Sequence, residues 1–447
     1  MMNRLFAIVS MCLPALAWVN AQALPEIKHW ETKNGANVLF VRAPDLPMVD
    51  IRFVFDAGGA RDAGANGLAR LANALLDQGA GGLSADQIAT GVENLGAQLS
   101  NGSERDMAWE SLRSLSDPEL LDPALDLYAK VLTAPTFAQA DFERERQQMI
   151  VAAQYAAQKP DDVAENAFYA SLYPDHPYGT PPEGTEDSLK ALTRDQIAAF
   201  YQQYYVARNA VIAVIGDLTE ARAREITERL ASGLSEGSHA AALPPAPVAG
   251  KAVNKFIEHP STQTHILVGE PVVARGDPDY YTLYVGNFIL GGSGLVSRVS
   301  DEVREKRGLA YDAHSYFYPM RQEGPFEMGL QTRTDKSGEA LSVLRQTLAT
   351  FMDKGPTQAE LVAAKKNITG GFPIGVSSNS KIVEYLAMMA FYGLPLDYLD
   401  TFTAKVDQVT LPGIKDTFKQ RLHPDRMVTV EVGEEPPSDT AVSGDSH

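Results

Sequence analysis

The chain has 447 residues and a formal net charge of −18 at pH 7, from 39 Lys and Arg against 57 Asp and Glu. This acidity disfavours nucleic acid as a partner and fits either basic ligands or ordinary acidic solubility. The single cysteine, Cys12, excludes an internal disulfide framework.

Residues 1–21 read as a secretory signal: Arg4 gives a positive start, Leu5 to Trp18 is almost wholly apolar, and Val19-Asn20-Ala21 offers a small-residue cleavage site. Cys12 lies inside this segment, and bulky Met11 before it argues against a lipid-anchored cysteine. The apolar run is too short for a membrane span, and no later stretch is long and apolar enough. A secreted, periplasmic protein is expected. The rest of the chain is too long for one typical core.

Val49 to Phe55 and Thr264 to Val268 alternate as strands, and Asp141 to Ala156 and Asp335 to Lys354 read as helices. After Gly67, Leu68, Leu71, Ala72, Leu75 and Leu76 fall at i, i+3, i+4, i+7 and i+8, one buried helical stripe. Arg70, Asn73, Ala74 and Asp77 lie on another face, suited to solvent or to a partner surface. Gly79 to Gly82 is expected to stop this helix.

A shift of 217 residues (433 minus 216) superposes two segments, 193–216 and 410–433. Thr193 meets Thr410, Ile197 meets Ile414, Tyr201 meets Phe418, Val211 meets Val428 and Gly216 meets Gly433. Each segment reads as a helix, a turn and a strand ending at Gly. Residues 235–250, rich in Pro, Gly and Ala, read as a linker, and 434–447 as a disordered tail. The domain plan is a first half at 25–234 and a second at 251–433. The expected fold class is α+β, two homologous halves, each a mostly antiparallel sheet packed by helices.

No pair among the eight histidines is spaced i, i+3 or i+4, so they read as structural or exposed. No nucleophile-elbow or phosphate-loop motif is present.

Several segments together resemble one family. "AGGARDAGANGLARLANALLDQGAGG", "ENLGAQLS", "HPYGTPPEGTEDSLKALTRDQIAAFYQQYYVARNAVIAVIGDL" and "FILGGSGLVSRVSDEVREKRGLAYDAHSYF" are similar to segments of the pitrilysin/insulinase-type metallopeptidases, in the mitochondrial-processing-peptidase-like subgroup. The resemblance implies two halves joined into a clam-like chamber. It also implies an inverted zinc motif, His-x-x-Glu-His, on the helix after Gly67. Here Arg70, Asn73 and Ala74 hold those three places. A guanidinium keeps its proton, an amide is no general base, and Ala has no donor atom. The distal ligand, seven residues after a supporting Glu that matches Glu145, falls at Ala152. No metal is expected in this chain.

The same resemblance gives Arg304 and Tyr311 an oxyanion-stabilising role, and Gly291-Gly292-Ser293-Gly294 the role of a substrate-contacting loop. Read from the residues alone, Arg304 pairs with a helix carboxylate, Tyr311 is a half-buried strand aromatic, and the glycines end a helix. The implied function is the non-catalytic subunit of a heterodimeric zinc peptidase acting on peptides, with zinc in a homologous partner. The alternative is a structural or peptide-binding pseudoenzyme forming a homodimer.

Overall fold

The computed structural model describes residues 26–248 and 250–435. The signal at 1–21 and nearly all of the tail at 434–447 lie outside the described residues. No helix among those described is long and apolar enough to cross a membrane.

The first half holds strands β1 (Ile27–Glu31), β2 (Asn37–Arg42), β3 (Met48–Phe55), β6 (Gln98–Ser103), β7 (Ala108–Leu115) and β8 (Ala210–Gly216), with a separate small hairpin of β4 (Gly79–Ala80) and β5 (Leu83–Ser84). The second holds β9 (Val253–Glu258), β10 (Gln263–Val273), β11 (Ala310–Phe317), β12 (Gly324–Arg333) and β13 (Val428–Gly433). The sheet orders are β1-β2-β8-β3-β7-β6 and β11-β12-β10-β13-β9. Each sheet is antiparallel except for one pair, β2 with β8 and β9 with β13. Apart from β1, the second order is the first one repeated. Both sheets leave an unpaired edge at equivalent positions, β6 and β11.

The repeat in the sequence takes the same form in space. Thr193 caps the helix Arg194–Tyr204 and Thr410 caps Leu411–Arg421, each through its side-chain oxygen. Ile197 and Ile414 are buried one turn later, and the strands that follow end at Gly216 and Gly433.

Strand β8, Ala-Val-Ile-Ala-Val-Ile-Gly, is apolar at nearly every position because both of its faces are covered. Ile212 and Val214 enter the first half's core, whereas Ala213 and Ile215 join the core that contains the second half. The cover on that side is the helix Asn379–Tyr392 from the second half. In return, the first-half helix Pro160–Leu172 lies on β10 and β13, where Ala164 and Phe168 meet Val428, Val430 and Val432. Each half therefore completes the other's sheet.

Polar contacts fasten the exchange. The buried Asp106 carboxylate accepts from the Tyr178 hydroxyl at 2.5 Å, the Arg321 N–H at 2.7 Å and the Tyr392 hydroxyl at 2.9 Å. The segment 235–250 has no helix or strand among its described residues, yet it is anchored. Arg61 donates to the Ala241 carbonyl at 2.7 Å, Gln322 donates to that of Leu243, and Leu243 is itself buried.

Candidate functional site

The helix carrying the degenerate motif is short, Leu68–Ala74. Gly67 takes a left-handed conformation (φ +91°) to enter it, and its Asp62 carboxylate staple accepts from the Gly67 and Ala69 N–H groups at 2.8 Å each. Burial pushes Asp62 up to about 7, while these backbone bonds act in the opposite direction. Leu75 and Leu76 are buried as expected but lie past the helix end. The stop therefore comes several residues before the Gly79–Gly82 cluster.

Arg70 is exposed and reaches only Glu183, at 3.7 Å. Asn73 corrects the expected solvent-facing side. It is 1% exposed, and its Nδ2 donates to the Trp109 carbonyl at 3.2 Å and to the Tyr205 hydroxyl at 3.3 Å. The helix packs on Arg194–Tyr204, on β6 and β7 and on Gln139–Ala156, so several of its sides are covered. Beneath it, Glu110 is fully buried; desolvation, with a smaller push from Asp77, holds its carboxyl well above the usual range.

Ala152 is exposed on Gln139–Ala156, the helix that packs on the motif helix. The four motif positions thus occupy two neighbouring helices. Glu145, on the same helix, pairs with Arg144 at 3.3 Å. These residues do not fit a zinc ion. One is a permanent cation, one is an amide turned inward as a donor, and two are methyl groups. Among the described residues no group of three or more His, Cys, Asp or Glu could hold a metal.

Arg304 and Tyr311 are brought together. Arg304 lies in a single π turn, Asp301–Glu305, rooted by the buried Val303. Gly308 then turns left-handed (φ +61°), and β11 begins two residues later. Ala310 pairs with Thr332 but Ala313 pairs with Leu330, so β11 carries one extra residue there. This bulge throws Tyr311 and Asp312 outward. Tyr311 is 83% exposed, not half-buried, and the Arg304 Cζ lies 4.7 Å from its ring centroid. Arg304 also pairs with Glu305, at 3.4 Å. Arg307 is occupied elsewhere, donating to the Glu302 carboxylate at 2.6 Å and its carbonyl at 2.7 Å.

The glycine loop divides in two. A Cβ on Gly291 would sit 2.4 Å from the Ser315 backbone N, so glycine there lets the turn lie against β11. Asn287 clamps the same place, donating to the Ser315 carbonyl at 2.9 Å and accepting from its hydroxyl at 2.6 Å. Gly292 is crowded by Asn287. Ser293 is half-buried and Gly294 is at the surface, followed by exposed Leu295 and Val296 beside β11. The main packing partners of the motif helix all lie in the first half, and those of the Arg304 turn all lie in the second. The chain does not pack its two constellations against each other.

Two family models match. One, described as insulinase (peptidase family M16), covers residues 37–186, and one described as the peptidase M16 inactive domain covers 191–368. A peptidase M16 inactive domain from Pseudomonas fluorescens is 39% identical, with a TM-score of 0.88 over 92% of this chain and 99% of that one. The chain belongs to the M16 insulinase-type peptidase family. Among curated relatives, an uncharacterized zinc protease of Mycobacterium leprae is 28% identical over 82% of each chain. A protease from Helicobacter pylori, 20% identical, shares the fold with a TM-score of 0.85 over 92% of this chain and all of that one. This M16 chain has two sheets of matching strand order, and its helix Leu68–Ala74 carries no His, Cys, Asp or Glu.

The β11 bulge and the inward turn of Asn73 were not visible in the sequence. Both depend on strands or helices far away in the chain. Gly308 before an alternating segment was the one available hint of the first.

Proposed function

We propose that this chain is the non-catalytic subunit of a heterodimeric zinc peptidase acting on peptides. A homologous partner would bring the metal, its ligands and the general base. This chain would bring Arg304, Tyr311 and half of the enclosing chamber. The observation that carries the reading is an asymmetry within one chain. No position of the metal motif carries an imidazole or a carboxylate, whereas Arg304 and an exposed Tyr311 stand stacked at a bulged sheet edge. That several relatives are called zinc proteases supports a metal-bearing homologue as the kind of partner.

The residue types suit the role. When a peptide carbonyl is attacked, negative charge builds on its oxygen. A phenol hydroxyl and a guanidinium N–H can both donate to it, and one preorganised donor of this kind contributes roughly 3–4 kcal/mol to lowering the barrier. The Arg304 guanidinium lies over the Tyr311 ring, so the two donors stand side by side. The surface part of the loop, Ser293 and Gly294, would face the same substrate. The signal-like leader supports a periplasmic location for the complex.

The test is to mix this chain with a zinc-bearing homologue from the same host and assay peptide cleavage. Cleavage is expected only in the mixture and is expected to fall when Arg304→Ala or Tyr311→Phe is introduced here. Cleavage indifferent to both changes would overturn the division of labour. A second reading, a self-pairing peptide-binding pseudoenzyme, rests on the unpaired edges β6 and β11, either of which could accept an extended peptide as an added strand. A stable homodimer that binds peptide and ignores the zinc-bearing homologue would favour it.

A further inference from the structure

The second half contains a cavity of 390 Å³ that lies apart from both constellations above. Its walls come from the turn before the helix Tyr280–Asn287, from the start of that helix, from the turn after Asn379–Tyr392, and from the helix Tyr398–Gln408. Its volume is in the range of small-molecule sites. Tyr280, Tyr281 and Tyr398 give it an aromatic lining and Leu394 an aliphatic one. The rings are mutually braced: Tyr280 and Tyr281 meet edge-on at 5.3 Å, and Tyr281 lies 6.4 Å from Tyr398.

Two cations, Arg275 and Lys405, line the same space. Among the described residues, neither side chain has a carboxylate within ion-pair distance or any hydrogen-bond acceptor. The Arg275 Nε is buried without a partner, and so is the Tyr281 hydroxyl. Lys405 rests over the Tyr281 ring at 5.2 Å. The acid in the wall, Asp277, is already held by Arg421 at 2.5 Å. In a chain with a net charge of −18, two cations without a carboxylate partner line one aromatic cavity; Arg275 lies over the Tyr392 ring at 5.6 Å and Lys405 over Tyr281, so aromatic faces are their only partners among the described residues.

We propose that this cavity binds a carboxylate attached to a flat apolar body, with Arg275 and Lys405 facing the carboxylate and the tyrosine rings and Leu394 holding the body. A monoanion suits the site better than a phosphate dianion, because Asp397, near the Tyr281 ring, offsets part of the positive charge. A free aromatic acid and the C-terminus of a peptide ending in Phe share this chemistry. The inference does not depend on the proposed peptidase partnership.

Calorimetric titration of the purified full chain tests it, with phenylacetate, neutral phenylacetamide, the peptide Ala-Ala-Phe and inorganic phosphate as probes. Phenylacetate is expected to bind, and phenylacetamide to bind more weakly by roughly tenfold or more. Arg275→Gln and Lys405→Gln should each weaken phenylacetate by a similar factor, Arg275→Lys by less, with unchanged thermal midpoints showing intact folds. Tighter binding of Ala-Ala-Phe than of phenylacetate would assign a peptide C-terminus, and its exclusion a free acid; both support the anion pocket. Equal binding of the amide, indifference to the Gln variants, preference for phosphate, or no binding of phenylacetate by the wild-type chain would each overturn it.

Discussion

The Arg304 guanidinium lies over the Tyr311 ring, its Cζ 4.7 Å from the centroid, at the one place where β11 carries an extra residue. An unbulged edge strand would have alternated Tyr311 and Asp312 between the two sheet faces. The bulge instead exposes both, and the π turn just upstream delivers Arg304 to the same spot.

In the mixed complex, Arg304→Ala and Tyr311→Phe should each lower kcat by about a hundredfold or more, the size found for loss of one oxyanion donor. Tyr311→Phe keeps the ring and the stack, so its effect isolates the hydroxyl. Because Tyr311 is 83% exposed, Tyr311→Phe should not shift the thermal midpoint of the isolated chain appreciably. A parallel fall in stability would mark the pair as structural.

Refilling the motif should fail at Asn73. Its amide is 1% exposed and bonded to the Trp109 carbonyl and Tyr205, close above the buried Glu110. Asn73→Glu would place a second carboxyl in a region where desolvation already holds Glu110 well above its ordinary range. A destabilisation of about 2 kcal/mol or more is expected in urea unfolding. Metal analysis should find no stoichiometric zinc in either the wild-type chain or this variant. Stoichiometric zinc in the wild type would refute the reading of Arg70, Asn73, Ala74 and Ala152.

The sequence revealed features that are set locally. The helix, turn and strand of 193–216 and 410–433, with Gly216 and Gly433 as strand ends, follow from short-range patterns repeated at a fixed offset. The family segments likewise pointed to Arg304 and Tyr311 through a spacing of seven. Features set by distant partners stayed hidden. The apolar face of Pro160–Leu172 says that the helix packs, not that it packs on the other half's sheet. The bulge at Tyr311 is a matter of register against Leu330 and Thr332. Arg275 and Tyr281 are near neighbours in the chain, but Lys405 lies on a distant helix and joins them only once the second half has folded.

Asp106 ties the halves together and should be costly to alter. It accepts from Tyr178, the Arg321 N–H and Tyr392, so Asp106→Ala leaves three interfacial donors without their acceptor. A loss of about 3 kcal/mol or more is expected from urea unfolding, against about 1 kcal/mol for Tyr392→Phe, which removes a single donor. Equal effects of the two would show that the network does not act through the carboxylate.

The contact between Pro160–Leu172 and the second sheet should also make stability depend on pH. Glu327, in β12 and 8% exposed, is raised from the ordinary 4.5 to about 7 by burial, with a smaller push from Glu165 on that helix. Between those two values the folded chain holds a proton that the unfolded chain has released. The stability from this group is therefore full below about pH 4.5 and declines as the pH rises through about 7. The difference amounts to at most about 3 kcal/mol. Glu327→Gln has no proton to lose, so its urea midpoint should fall less across that window and exceed the wild type's above pH 7. Identical pH profiles for the two proteins would show that Glu327 does not carry the dependence.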